Sequence, residues 1–268
     1  MAIKEPGELP RVLDAERRQQ MVTFIDQHQG ATVSALSEHF GVSEATVRRD
    51  LMQLDRRGLI ERAHGGAVPR RPRARDGAPE PPILDRAGVK AEEKRRIGRA
   101  AADLVVDGNT IMIAGGTTTA HMIPPLAERT GLTVVTNNLN VAGLLAPMSH
   151  ITTILIGGVL RHSELSLLGA LADDALANLR VDTLYIGSSA IHVDHGLSAD
   201  DPAEVQTDRA LMAAARQITV LVDHSKFDRV RTMRVVPMER IGRVVTDVGT
   251  AASHREAMEA LGIVVTVV

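Results

Sequence analysis

Apolar positions follow one period before Gly58 and another after Lys90. In the first stretch they recur every three or four residues, the spacing of a helix with one buried face. Met21, Phe24 and Ile25 predict a helix that Asp14 can cap and Gln29-Gly30 ends. Thr32 heads a second helix, with Val33, Leu36 and Phe40 on one side. Gly41 then supplies the left-handed residue that a short turn needs. Ser43 caps a third helix, with Glu44 in its first turn, where the helix dipole favours an acid. Val47, Leu51 and Leu54 form its buried stripe. At 100° per residue Arg49 points away from that stripe with Ala45 and Met52, flanked by Thr46 and Gln53 on one side and Arg48 on the other. Gly58 ends the helix. Beyond it, Leu59-Ile60-Glu61-Arg62 and Ala67-Val68, bridged by His64-Gly65-Gly66, can pair as a small hairpin.

After Lys90 the apolar residues come in short continuous runs, the mark of strands buried on both faces of a mostly parallel sheet. The runs are Thr110–Ala114, Thr133–Thr136, Ile151–Gly157, Thr183–Gly187, Ile218–Asp223, Val244–Thr246 and Ile263–Val268. Helical segments alternate with them at about 92–106, 118–128, 139–145, 170–179, 202–216 and 253–260. This part is α/β. Between the two patterns lie Pro69, Pro72, Pro79, Pro81 and Pro82 among Arg70, Arg71, Arg73 and Arg75. Proline at that density fits neither a helix interior nor a central strand, and it reads as an extended linker. The expected organisation is a helical domain at 1–68, a linker at 69–89 and an α/β domain at 90–268.

Composition narrows the function. A chain of 268 residues with no cysteine excludes a disulfide scaffold, a thiolate metal site and a cysteine nucleophile. Its four aromatic residues, Phe24, Phe40, Tyr185 and Phe227, are too few for stacking single-stranded bases. Met1-Ala-Ile-Lys-Glu-Pro has no apolar signal core, and no apolar run approaches a membrane span, so a soluble cytoplasmic protein is expected. The net charge of −2 hides an asymmetry: residues 1–75 hold 13 basic and 10 acidic side chains. From Arg48 to Arg75 there are nine arginines and three acids. That bias suits either a DNA-reading module or a solvated arginine face.

The surroundings of the arginines favour DNA. Two helices joined by Gly41-Val42-Ser43, the second exposing arginine and hydroxyl groups, match a helix-turn-helix whose second helix enters the major groove. The hairpin would be the wing, with Arg62 and His64 near phosphates or the minor groove. Arg48 or Arg49 can bond bidentately to guanine, while Ser43 and Thr46 suit phosphate or a thymine methyl. Asp50 has the wrong sign for phosphate and fits the orienting of an arginine or a backbone group.

In the α/β part the chemistry sits where strands end. The first strand runs into Gly115-Gly116-Thr117-Thr118-Thr119, small residues and hydroxyls ahead of a helix, as an anion cradle needs. The second ends in Thr136-Asn137-Asn138 and the third in Gly157-Gly158. A later one ends in Asp223-His224-Ser225-Lys226, whose lysine is one of four in the chain. His192 and His195 lack further ligands at metal spacing, and Ser225 beside His224 is adjacency without a nucleophile elbow.

The run Val33 to Leu51, with its Ser43-x-x-Thr46-Val47-Arg48-Arg49-Asp50-Leu51 core, followed by Arg62-x-His64-Gly65-Gly66-Ala67, resembles the DNA-binding domain of the DeoR family of bacterial transcription regulators. The strand-end motifs occur in the order found in that family's sensor domain, over about 90–250. The resemblance implies a winged helix-turn-helix joined to an α/β domain like the ribose-phosphate isomerase and CoA-transferase fold. It implies a repressor of a carbohydrate operon that acts as a dimer or tetramer on double-stranded operator DNA, with no cofactor and no metal. Ser43, Thr46, Arg48 and Arg49 would face DNA, as would Arg62 and His64 from the wing. A small phosphorylated metabolite would be held by Gly116, Thr117, Thr118, Thr119, Asn137, Gly158 and Lys226. One departure stands out: the family has Asp-Ser-Gly where this chain has Ala114-Gly115-Gly116, so a carboxylate that could bond a sugar hydroxyl is missing. The alternative, a sugar-phosphate isomerase, needs a base beside the moving proton. The comparable strand end, Ile186-Gly187-Ser188-Ser189-Ala190, has none, and Asp194, Asp200, Asp201 and Glu204 lie further on.

Overall fold

Neighbouring residues of a single strand enter opposite cores. Met112 packs on one side of the large sheet while Ile111 and Ile113 pack on the other, and Val135 and Val134, Leu184 and Tyr185, Val220 and Leu221, and Val244 and Val245 divide in the same way. This is the period-two geometry of a strand covered on both faces, and it explains why these segments read as unbroken apolar runs. The computed structural model describes residues 17, 18, 20–25, 28, 30–56, 59–63, 65–69, 81–86 and 88–268. It divides the chain into two units, with the division between Arg75 and Asp76.

The second unit is built on seven parallel strands: β4 (Thr110–Ile113), β5 (Thr133–Thr136), β6 (Thr152–Leu155), β9 (Val181–Ile186), β12 (Ala215–Leu221), β14 (Arg243–Thr246) and β15 (Val264–Val267). Their order is β15-β14-β12-β9-β4-β5-β6. All seven expected strands lie in this one sheet. The chain winds outward from β4 to β6 and then returns to the other side of β4 at β9, so the topological switch point lies between β4 and β9. Helices α5 (Ala91–Asp103) and α6 (Leu139–Leu145) and two 3-10 turns supply the core of one face. On the other face α7 (Ala170–Ala177), α8 (Pro202–Ala214) and α9 (Ala252–Ala260) do so. No helix among the described residues is long and apolar enough to cross a membrane.

Three features differ from the expectation. The segment 118–128 is not one helix but the 3-10 turns Thr119–Met122 and Pro124–Glu128. Pro124 and Pro125 have no N–H to donate to the preceding turn, so an α-helix cannot run through them. Two small antiparallel ribbons were also not foreseen: β7 (Val159–Arg161) with β8 (Ser166–Leu168), and β10 (Ala190–His192), β11 (Gly196–Ala199) and β13 (Met233–Val236). Lastly, part of the expected linker 69–89 is structured. Pro69 ends a strand, and α4 (Ile83–Arg86) buries Ile83 and donates its N–H to the Ser163 carbonyl at 2.8 Å. Residues 70–80 lie outside the described residues, as do Asp14, Gln29 and Gly58.

In the first unit, α1 (described at 17, 18 and 20–25), α2 (Val33–Phe40) and α3 (Glu44–Arg56) enclose Met21, Ile25, Leu36, Val47, Leu51 and Leu54. Truncating a buried leucine such as Leu51 to alanine would cost about 2–5 kcal/mol. A three-stranded sheet closes the unit: β1 (Ala31–Thr32), β3 (Gly66–Pro69) and β2 (Ile60–Ala63). Gly66 is required here, because a Cβ at this position would lie 2.2 Å from the Ala31 carbonyl oxygen.

Candidate functional site

The turn between α2 and α3 is built by local chemistry. Thr32 caps α2 by accepting from the Ala35 N–H at 3.1 Å, and Gly41 ends it in the left-handed conformation with φ of 62°. The Ser37 hydroxyl donates to the Val42 carbonyl at 2.6 Å and fixes the chain's exit. Ser43 Oγ accepts from the Thr46 N–H at 3.2 Å and meets the Thr46 hydroxyl at 2.9 Å. Of the two hydroxyls expected to face DNA, that of Ser43 therefore also caps the helix, and that of Thr46 braces it. Ala45, Arg48, Arg49 and Met52 are exposed, while Val47, Leu51 and Leu54 are buried.

Asp50 is 3% exposed and faces inward. It receives Arg17 through Nε at 2.9 Å and through a terminal guanidinium nitrogen at 2.8 Å, with Arg18 at 3.6 Å. It orients arginines of α1, one of the two roles its sign suggested. Arg48 pairs with Glu44 at 2.6 Å across one turn. Exposed pairs of this spacing are worth about 0.3–0.5 kcal/mol, so exchanging Glu44 for a phosphate or base would cost little. Arg62 is exposed on β2, opposite Ala67, and His64 lies outside the described residues.

In the α/β unit the parallel strands bring several distant loops to one edge. Gly116–Thr119 follow β4, Asn137 follows β5, Gly158 follows β6 and Lys226 follows β12. Gly116 has φ of 156° and its carbonyl accepts from the Thr119 hydroxyl at 3.0 Å. The element after this loop is a four-residue 3-10 turn, so no helix dipole of useful length backs the cradle. Thr119 is fully buried with its hydroxyl given to Gly116, so half-buried Thr117, the mostly buried Thr118 and the backbone groups remain as the polar groups there. Gly115 and Gly158 allow close approach: a Cβ on Gly115 would sit 2.3 Å from Asn138 Nδ2, and one on Gly158 would sit 2.7 Å from the Leu168 carbonyl oxygen.

Asn137 and Asn138 have different tasks. Asn138 is structural: its Oδ1 accepts from the Asn140 and Val141 N–H groups at 3.0 and 3.1 Å, and its Nδ2 donates to the Glu164 carbonyl at 2.8 Å. Asn137 is 2% exposed and donates through Nδ2 to the Leu167 carbonyl at 3.2 Å, which leaves its Oδ1 buried without a hydrogen-bond partner among the described residues. A buried acceptor in that state costs stability until a donor reaches it. Ala114, where the family resemblance sets an aspartate, is buried among apolar neighbours.

Lys226 sits in the 3-10 turn His224–Lys226, which Asp223 caps through the Ser225 N–H at 2.9 Å. What holds this turn lies more than twenty residues further along the chain, out of reach of any local sequence pattern. Buried Asp247, just past β14, accepts from the His224 N–H at 2.7 Å, from the His224 ring at 2.6 Å and from the Gly249 N–H at 2.9 Å. Burial works to raise the Asp247 carboxyl, but the bonds from His224 and Gly249 outweigh it and hold the group below its ordinary value. The far ring nitrogen of His224 meets Lys90 Nζ at 2.8 Å. An ammonium only donates, so His224 Nε2 is the acceptor and Nδ1 carries the proton toward Asp247. The signal for Asp247 was its place, a polar residue directly after a buried strand.

Of the carboxylates that could serve isomerase chemistry, Asp194 is exposed at the surface and the other three have other engagements. Asp200 accepts from the Thr232 N–H and hydroxyl at 3.1 and 2.9 Å, and Asp201 caps α8. Glu204 pairs with Arg161 at 3.0 Å. Ser225 bonds to Asp223, and His224 to Asp247.

The DeoR-like helix-turn-helix domain matches residues 17–72 and the DeoR C terminal sensor domain matches residues 89–248. The putative aga operon transcriptional repressor of Escherichia coli O157:H7 is 30% identical over 254 residues, 95% of this chain and 94% of that protein. The glycerol-3-phosphate regulon repressor of Escherichia coli strain K12 is 34% identical over 232 residues, 87% of this chain and 90% of that protein. Ribose 5-phosphate isomerase A from Methanocaldococcus jannaschii aligns at 19% identity with a TM-score of 0.39, covering 51% of this chain and 54% of that one.

Proposed function

We propose that this chain, which belongs to the DeoR family of transcriptional regulators, represses its target genes by seating α3 in the major groove of operator DNA and releases them when a small phosphorylated polyol or sugar binds the α/β unit. It is a DNA-binding transcriptional regulator. Arg48 and Arg49 read base edges or phosphates, Ser43 and Thr46 meet the backbone beside them, and Arg62 and His64 add contacts from the wing. One recognition helix spans too few base pairs for an operator, so the chain works in the cytoplasm as a dimer or tetramer on paired half-sites.

The observation that carries the effector reading is Asn137 Oδ1, a buried acceptor awaiting a donor at the carboxyl edge of the sheet. A hydroxyl of the effector supplies that donor. Lys226 and the Gly116–Thr119 loop take the phosphate, and Gly158 gives the chain its close approach. With Ala114 in place of a carboxylate, hydroxyl recognition falls to the Asn137 carboxamide, which suits a ligand with few hydroxyls. One relative is named for a glycerol-3-phosphate regulon, which makes glycerol 3-phosphate the first compound to try.

A thermal-shift screen tests this reading. Glycerol 3-phosphate, fructose 6-phosphate and glucose 6-phosphate are compared with their unphosphorylated forms, and each is assayed for release of the full chain from DNA selected by that chain in vitro. At a hundredfold excess over Kd a ligand adds about 2.7 kcal/mol to the folded state. One phosphorylated compound is expected to stabilise the chain and weaken DNA binding. Equal effects of phosphorylated and unphosphorylated forms would sink the reading.

A further inference from the structure

The chain enters the α/β unit through residues that grip the loops assigned to the effector. Arg86, at the end of α4, pairs with Glu164. Glu164 belongs to the loop between β7 and β8, which is zipped to the Asn137-Asn138 loop. Asn138 Nδ2 donates to the Glu164 carbonyl, the Leu139 N–H to the Leu165 carbonyl at 2.9 Å, and the Leu167 N–H to the Asn137 carbonyl at 2.7 Å. Four residues after Arg86, Lys90 bonds His224, two positions before Lys226. Lys94 is buried and donates to the Arg86 carbonyl at 2.9 Å, which fastens α4 to α5. One turn further, Gly98 lies so close to the 3-10 turn after the Gly-Thr loop that a Cβ there would be 2.5 Å from His121 Cβ. The segment 83–98 therefore touches the β7–β8 loop, which is bonded to the loop after β5, the loop after β12 and the turn that follows the Gly-Thr loop.

Lys90 differs from the other anchors. It precedes α5 in the left-handed conformation, with φ of 54° and ψ of 41°, a region that L side chains seldom adopt. Only the surrounding structure holds it there, and its bond to His224 is part of that structure. His224 in turn is locked on its other side by Asp247.

We propose that residues 83–98 transmit effector occupancy toward the linker, and that the Lys90 to His224 hydrogen bond is the contact whose making and breaking couples the two. The proposal rests on the effector site assigned above. An anion that draws Lys226 toward the Gly-Thr loop moves the three-residue turn that also carries His224. The His224 acceptor is then displaced from Lys90, and the left-handed residue relaxes. The direction in which 83–89 leaves α5 changes with it. A ligand shifts such an equilibrium only through contacts that differ between the two states, and Lys226 on one side and Lys90 on the other provide them.

The test is Lys90→Met in the full chain, with Lys90→Arg alongside as the variant that keeps a cationic donor. Three quantities are measured with glycerol 3-phosphate and the sugar phosphates of the screen: affinity for the compound, affinity for the selected DNA, and the factor by which the compound weakens DNA binding. For an allosteric pair that factor is about 5–150-fold in the parent. Lys90→Met is expected to bind compound and DNA within about twofold of the parent while the coupling factor falls at least fivefold, and Lys90→Arg is expected to retain most of it. Parent-like coupling in a folded Lys90→Met chain would overturn the relay and leave the effector site standing. Absence of binding by any phosphorylated compound to the parent would overturn the effector site, and the relay with it. Loss of compound affinity in Lys90→Met equal to the loss of coupling would show Lys90 to be part of the binding site, and would also overturn the relay.

Discussion

The two units present their candidate sites in opposite ways. In the first, the groups that would face DNA come from one turn and one helix, Ser43 to Arg49, with the wing alongside. In the second, the groups that would face the effector come from four loops between Gly116 and Lys226, and only the parallel sheet makes them neighbours. The lesson is one of robustness. A site on one helix depends on that helix's cap and buried stripe. A site assembled from loops depends on the packing between them, and that packing is where a ligand can exert leverage.

The largest effect that would break this comparison is loss of the arginines. Replacing Arg48 and Arg49 together by alanine removes up to two bidentate contacts, each worth about 1–3 kcal/mol. Specific DNA affinity is expected to fall at least a hundredfold in a fluorescence-anisotropy titration, roughly the effect of 3 kcal/mol. The response of the α/β unit to phosphorylated compounds should be unchanged. Retained operator binding would detach α3 from DNA reading.

Packing between loops is tested next by Gly115→Ala. The new methyl would meet the Asn138 amide, which caps α6 and holds the Glu164 loop. Overpacking of this kind costs about 1–3 kcal/mol. Denaturant unfolding should show the loss in the α/β unit, with α3 still binding DNA. A neutral substitution would mean that this contact does not order the site. Lys226→Met should then weaken phosphorylated compounds about tenfold, near 1.4 kcal/mol, without altering DNA affinity in their absence. An unchanged titration would remove Lys226 from the site.

The smallest effect concerns pH. The folded-state pKa of Asp247 is held below its ordinary 3.8, so its contribution to stability is present above that value and fades as acid titrates the folded carboxyl below it. Asp247→Asn should be less stable than the parent at neutral pH, and the difference should shrink as the pH falls below 3.8. A difference that stays constant with pH would show that charge on Asp247 does not matter.

The five inner strands of the large sheet were legible because burial on both faces leaves a continuous apolar signature, whereas the edge strands β6 and β15 are largely exposed and showed only through their short β-branched apolar runs. The short ribbons β7–β8 and β10–β11–β13 were not, because three or four residues are too few to display a period and their burial comes from pairing with distant segments. The break in 118–128 is also written locally, in the proline pair at 124–125. Asn137 and Lys226 were picked out by their place after strands. Lys90, Arg86, Glu164 and Asp247 were not, since each matters through a partner far along the chain.

The two units, the capped turn before α3, the exposed arginines and the parallel sheet are legible in the order of the amino acids alone. These follow from interactions within a few residues or from periodic burial, and both are written locally. That Asp50 turns inward to Arg17, that Asn137 keeps an oxygen with no partner among the described residues beside an Asn138 bonded through both ends of its amide, and that Lys90 reaches His224 emerge once the chain is folded. Those outcomes depend on which distant side chain arrives within hydrogen-bond reach, and the order of strands in the sheet settles that.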